Sequence, residues 1–163
     1  MKIFTLKTFI TFVCLFQSQL LSQIPNQINN TEAEKQLVEK AIHNCIGWVK
    51  DKDISLLYNT IANDSNFIEV HPNERIVFGF EDFKKAEKFW MSPEFKAVRY
   101  KIRDLKINFS NSGDVAWFFC MLDDMNEWKG QPANWENTRW TGVLEKRDRK
   151  WLIVQQHFSF ASK

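Results

Sequence analysis

The chain has 163 residues, 44% hydrophobic and 26% charged, the make-up of one globular domain rather than a disordered polyelectrolyte. With 7 Trp and 15 Phe it has enough aromatic surface to fill a core or line a cavity. Lys2 and Lys7 account for the whole excess of positive charge. Beyond them 20 basic residues face 20 acidic ones, so no field is left to hold nucleic acid or an anionic membrane.

The first segment, "MKIFTLKTFITFVCLFQSQLLSQ", has the layout of a signal peptide over residues 1–22. Lys2 and Lys7 form a basic start, residues 8–16 are apolar, and Ser18 and Ser22 offer cleavage points. The apolar run is shorter than the roughly 20 residues of a membrane span. Val13 before Cys14 is not the small residue that lipid attachment wants. The expectation is an exported protein, periplasmic or secreted, with no stable membrane anchor. Residues 23–30, "QIPNQINN", are polar and unpatterned and read as a linker.

"TEAE" then supplies a capping box, Thr31 with Glu34. Leu37, Val38, Ala41, Ile42, Cys45, Ile46 and Val49 recur at helical spacing, which predicts a helix over about 32–50. His43 falls on its wetter side. Asp53 caps a second short helix, "ISLLYNTI". "NFIEVHP" is a strand closed by Pro72, and "RIVFG" is its hairpin partner. "FEDFKKAEKFW" reads as a third helix, acidic first and basic later, as the helix dipole prefers.

From Ala97 the pattern is β. Val98, Tyr100 and Ile102 carry one apolar face, then the phase slips and Leu105, Ile107 and Phe109 carry it, which predicts a bulge near Arg103–Asp104. "NSGD" turns the chain into a strand over 115–123. "MNEWKGQPANWE" reads as a long loop, and residues 138–146 and 151–160 form a final hairpin. Helices first and an antiparallel sheet afterwards mean an α+β fold, with the sheet curved around the N-terminal helices and a cavity between them.

Three stretches carry a resemblance: "GDVAWFF" (113–119), "TRWTGVLEKRDRKW" (138–151) and "WLIVQQHFS" (151–159). With the element order they resemble the nuclear transport factor 2-like superfamily. The nearest look is to SnoaL-like domains and to the association domain of calcium/calmodulin-dependent kinase II. The resemblance implies a cone-shaped SnoaL-like domain over 31–161. It says little about activity, because this fold hosts isomerases, dehydratases, cyclases and assembly domains.

Arg149 stands where the family has its hairpin glycine. A three-residue loop there requires φ > 0 at Arg149, at a cost of about 1 kcal/mol. Such a loop pairs Lys146 with Lys150, Glu145 with Trp151, Val143 with Ile153, Thr141 with Gln155 and Arg139 with His157. The opposite face then carries Trp140, Gly142 and Leu144 beside Leu152, Val154, Gln156 and Phe158.

The pocket arginines of the kinase association domains fall here on Leu122, Gly142 and Phe158, none of them basic. The resemblance therefore implies a pocket lined by Phe118, Cys120, Leu122, Trp140, Val154, Gln156 and Phe158. It is apolar with one amide and suits a small apolar or weakly polar ligand. The competing reading is that this stripe only fills the core.

His157 lies on the other face with Arg139, Thr141 and Ser159. In this superfamily that face often packs against a second subunit, so His157 reads as a structural residue at a homodimer interface. A register one residue different would turn it into a pocket base beside Asp123 with Arg139 as electrostatic partner. His71, sharing a strand face with Glu69, is the other acid–base candidate. Cys45 and Cys120 suit either a disulfide or two buried thiols. No Cys/His spacing points to a metal, and no cofactor is expected.

Three functions remain open. The leading one is an exported homodimer that binds a small molecule. The second is a cofactor-free acid–base enzyme of isomerase, cyclase or dehydratase type. The third is a purely structural assembly module.

Overall fold

A computed structural model describes residues 31–161, so the expected signal peptide and linker lie outside the described residues. Of the described residues, 31–36 belong to a first unit and 37–161 form a second, compact one. Helix α1 covers 31–47, its first six residues belonging to the first unit, and a single 3-10 turn, Trp48–Lys50, follows it. The rest of the second unit is α2 (Ile54–Tyr58), β1 (Ile68–Val70), β2 (Ile76–Phe78), α3 (Phe80–Lys84), α4 (Glu87–Trp90), β3 (Phe95–Phe109), β4 (Val115–Trp128), β5 (Gln131–Pro132), β6 (Trp135–Arg147) and β7 (Lys150–Ser159).

The α+β class follows the sequence pattern. Val38, Ala41, Ile42 and Cys45 are the buried stripe of α1. Asp53 caps α2 by accepting from the Leu56 N–H at 2.9 Å. The expected third helix is two short ones. At Lys85 and Ala86 the backbone tightens to three-residue hydrogen bonds, from Lys85 N–H to the Asp82 carbonyl and from Ala86 N–H to the Phe83 carbonyl.

The sheet runs in the order β2-β1-β7-β6-β4-β3, with β5 against β4. All neighbours are antiparallel except β1 and β7, which pair in parallel with Glu69 opposite Gln156. The sheet is therefore mixed, not wholly antiparallel. This pairing joins residues nearly ninety apart in the chain, which no local pattern reports. The expected bulge is present: the β3–β4 register shifts between Arg103 and Lys106, and Asp104 takes φ 55. The expected long loop after Asp123 is instead strand. β4 continues to Trp128, turns at Lys129–Gly130, and β6 starts at Trp135.

The final hairpin corrects the expected register. Its loop has two residues, Asp148 (φ 49) and Arg149 (φ 65), between the paired Arg147 and Lys150. Two left-handed residues suit the right-handed strand twist better than a longer loop. Lys146 then pairs with Trp151 and Leu144 with Ile153, after which the register shifts and Val143 pairs with Gln155. Val154 is the extra, bulged residue. The bulge switches the inward face from Trp151 and Ile153 to Gln156 and Phe158, so Leu152 and Val154 do not join the core as expected. Arg149→Gly is expected to raise stability by about 1 kcal/mol by relieving the left-handed arginine, read as a shift in the denaturation midpoint.

The core lies between the helices and the concave face of the sheet. Val38, Ile42, Leu57, Phe67, Leu122, Trp140, Leu144 and Ile153 are essentially inaccessible. Phe118, Trp140 and Phe158 form its centre, with Trp140 edge-on to Phe118 at 4.9 Å and stacked on Phe158 at 5.4 Å.

Candidate functional site

A cavity of about 290 Å³ opens beside this core. Trp48, Phe83, Phe89 and Trp90 come from the helical segments, and Phe95, Trp135 and Phe158 from the sheet. Phe89 is 42% exposed, which puts it at the mouth. The polar lining is Glu69, Asp124, Asn126 and Gln156, with the thiol of Cys45. Among the described residues no lysine, arginine or histidine lines it.

Strand geometry explains this set. Phe118, Cys120, Leu122, Asp124 and Asn126 alternate along one face of β4. The first three are apolar and fill the core, and the last two bring polarity to the cavity. Asn126 Nδ2 donates to Asp124 Oδ2 at 2.8 Å, and the Asn126 N–H donates to Asn134 Oδ1 at 3.0 Å. Burial pushes the Asp124 carboxyl above its usual range, opposed by the Asn126 hydrogen bond.

A second polar group is built on β1 and β7. Their parallel register sets Glu69 against Gln156, and Gln156 Nε2 donates to Glu69 Oε2 at 2.5 Å. Gln156 Oε1 accepts from Trp140 Nε1 at 3.2 Å and from Cys45 Sγ at 3.5 Å. The amide thus joins α1, β1, β6 and β7 through one side chain. The Cys45 thiol is pushed far up, first by burial and then by the charge of Glu69, against a smaller pull from Gln156. Burial also raises Cys120, to about 12. Both cysteines are free and buried, so the disulfide alternative does not hold and neither thiol is a nucleophile at neutral pH.

His71 stands behind this group. Its Nε2 lies 2.5 Å from Glu69 Oε1, close enough for an ion pair but not aligned for a hydrogen bond. Its ring meets Trp135 edge-on at 5.7 Å. The sequence pairing of Glu69 with His71 is therefore a contact, and it abuts the cavity through Glu69 and Trp135.

Of the expected pocket residues, Gln156 and Phe158 line the cavity. Phe118, Cys120, Leu122 and Trp140 are packed in the core behind it, and Val154 is the half-buried bulge residue. His157, Arg139 and Thr141 are exposed on the outer face, with Thr141 opposite His157 and Arg139 opposite Ser159. Asp123 is also away from His157. It accepts from Arg103 Nε and Nη2 at 3.1 Å each and from the Asn137 N–H at 2.8 Å. That backbone bond first, then Arg103, holds its carboxyl below the usual range. A His157–Asp123 base pair in the pocket is thus ruled out by position. His43 contacts the Tyr100 hydroxyl at 3.1 Å. Among the described residues no group of three or more His, Cys, Asp or Glu is arranged to hold a metal.

Asp124, Asn126 and Trp135 were missed in the sequence because that stretch reads as loop. The signal for two of them was the parity of Phe118, Cys120 and Leu122, which continues to Asp124 and Asn126. Asp124→Asn is expected to stabilise the protein at neutral pH. A carboxyl raised by burial is ionised at a cost in the folded state above its folded pKa. That cost falls as pH drops through the folded pKa and is gone below the unfolded value of about 3.9. The advantage of the asparagine should therefore vanish on acidification, as compared by urea denaturation at neutral and acidic pH.

A family model described as a SnoaL-like domain matches residues 38–163. The chain belongs to the SnoaL-like domain family, on the nuclear transport factor 2-like cone fold. It is similar to a nuclear transport factor 2-like superfamily protein from Salmonella enterica serovar Typhimurium (TM-score 0.70, 19% identity, 82% of this chain and 94% of that one). A candidate dehydratase of the same family from Streptomyces avermitilis is similar at TM-score 0.67 and 14% identity, over 81% and 99% of the two chains. A candidate calcium/calmodulin-dependent kinase II association domain from Exiguobacterium sibiricum is similar at TM-score 0.65 and 7% identity, over 80% and 95%. Identities this low report the fold alone. No curated protein matches the chain.

Proposed function

We propose that this chain is an exported SnoaL-like protein that binds a small, mostly apolar molecule in the aromatic cavity. The observation that carries this reading is the cavity itself, about 290 Å³ walled by Trp48, Trp90, Trp135 and Phe158, with Glu69, Asp124, Asn126 and Gln156 as its polar lining. Apolar walls with a few convergent polar groups are the usual form of a small-molecule site. Fluorescence titration with a neutral solvatochromic dye such as Nile red tests it. Saturable binding is expected, and Trp135→Ala should weaken it about tenfold by removing one large aromatic wall. A dye that does not bind, or binds equally to the variant, counts against the reading.

Homodimer formation belongs to the same proposal. The outer face of the sheet carries Trp117 (45% exposed) and Phe119 (38% exposed) on β4, near Thr141 and His157. A second copy would cover this apolar patch and give His157 a partner across the interface. The mass in solution tests it, with Trp117→Glu expected to give a monomer that still binds dye. Export is supported by the layout of residues 1–22 and is tested by the N-terminal sequence of the mature protein.

The Glu69–His71 contact favours a second reading, a cofactor-free acid–base enzyme with His71 as the proton carrier behind the cavity wall. Under it, His71→Ala abolishes turnover while dye binding persists.

A further inference from the structure

The polar lining of the cavity has an unusual balance. Its donors point first at protein acceptors: Gln156 Nε2 at Glu69, Trp140 Nε1 and Cys45 Sγ at Gln156, and Asn126 Nδ2 at Asp124, each amide keeping one further N–H. What remains for a ligand is mostly acceptor capacity, on the two carboxylates. Glu69 has two partners, Gln156 and His71. Asp124 has one side-chain partner, Asn126, although a carboxylate offers about four lone-pair sites. Asp124 lies across the strand pair from Trp135, and both line the cavity. Trp135 in turn packs on Phe158 at 5.2 Å. A partly satisfied carboxylate next to indole and phenyl rings, with no basic lining residue, is complementary to positive charge. The near lysine, Lys52, lies outside the lining; it donates to the carbonyls of Trp90, Ser92 and Phe95 and sits over the Phe95 ring.

We propose that the ligand is an organic cation, a small aryl- or alkyl-ammonium whose charge sits between Asp124 and the aromatic wall that begins at Trp135. This rests on the reading of the cavity as a ligand site and names the class of molecule it takes. The ammonium N–H groups supply the donors that Asp124 lacks, and the apolar remainder fills the space beside Trp48 and Trp90.

Three probes of one shape test it by isothermal titration near neutral pH: 2-phenylethylamine as its ammonium, propylbenzene as the neutral isostere, and 3-phenylpropionate as the anion. The ammonium is expected to bind at least about tenfold more tightly than propylbenzene, and the propionate more weakly than both. Asp124→Asn should erase the preference for the ammonium while leaving propylbenzene binding unchanged. A thermal melt verifies that the variant is folded, and the three probes on the unaltered protein decide the matter should it not be. Propylbenzene or the propionate binding as well as the ammonium overturns the cation while leaving the cavity a ligand site. Binding of none of the three overturns both.

Discussion

Gln156→Leu is expected to lower stability by about 2–4 kcal/mol, a large share of what a domain of this size possesses. The leucine fits the space but accepts and donates nothing. Trp140 Nε1–H then has no acceptor, and the Glu69 carboxylate, 4% exposed, loses the amide that faces it. Leaving such groups buried without partners costs more than the hydrogen bonds themselves contributed. Glu69→Leu added to Gln156→Leu removes the stranded charge, so the double variant should recover much of the loss. Urea denaturation of the two single variants and the double variant closes the cycle. Additive losses would mean that Gln156 and Glu69 do not act as a pair.

The second large effect concerns shape rather than charge. An added Cβ at Gly142 would stand 2.5 Å from Cε1 of Phe118 and 2.9 Å from the carbonyl oxygen of Gln155. The ring is not free to withdraw, because Trp140 packs edge-on against it, and the carbonyl is part of β7. Gly142→Ala is therefore expected to cost about 1–3 kcal/mol and Gly142→Val more, through displacement of Phe118 from the core. Phe118→Leu in the alanine background should restore part of the loss by vacating the contested volume. A melting temperature unaffected by Gly142→Ala would contradict the close approach of Phe118 to the β6 backbone.

Both effects sit in the core beside the cavity, one on the Gln156 side chain and the other on the approach of Phe118 to the β6 backbone. Under the proposed function, stability and binding are linked there in opposite senses. The Gln156 network holds four elements together, whereas Asp124 is kept in a place that disfavours its charge. A buried carboxylate with one partner is a cost to folding that a ligand can offset, which is why Asp124→Asn is expected to stabilise the protein and impair its binding preference together.

Much of this protein was legible in the sequence by itself. The α1 stripe, the Asp53 cap, the β3 bulge at Asp104, the positive φ of Arg149 and the α+β order all follow from local chemistry: periodicity, capping side chains and turn geometry act over a few residues. Gln156 and Phe158 face inward as expected, but in a register two residues from the expected one. The hairpin loop is one residue shorter than the pattern suggested, and the Val154 bulge shifts the register by one more in the same direction, so Val143 faces Gln155 rather than Ile153. A sheet face depends on parity alone, so two shifts of one residue leave the end of the strand unchanged while misplacing Leu152 and Val154 before it. The tertiary structure decided the remainder. The parallel pairing of β1 with β7 sets Glu69 against Gln156, and the continuation of β4 through Asp124 and Asn126 brings polarity to the cavity. It also separates His157 from Asp123 by putting them at different positions on the sheet. These are contacts between residues far apart in the chain, and their geometry comes from which strands find each other as neighbours, a choice made by burial of the whole core rather than by any local run of residues.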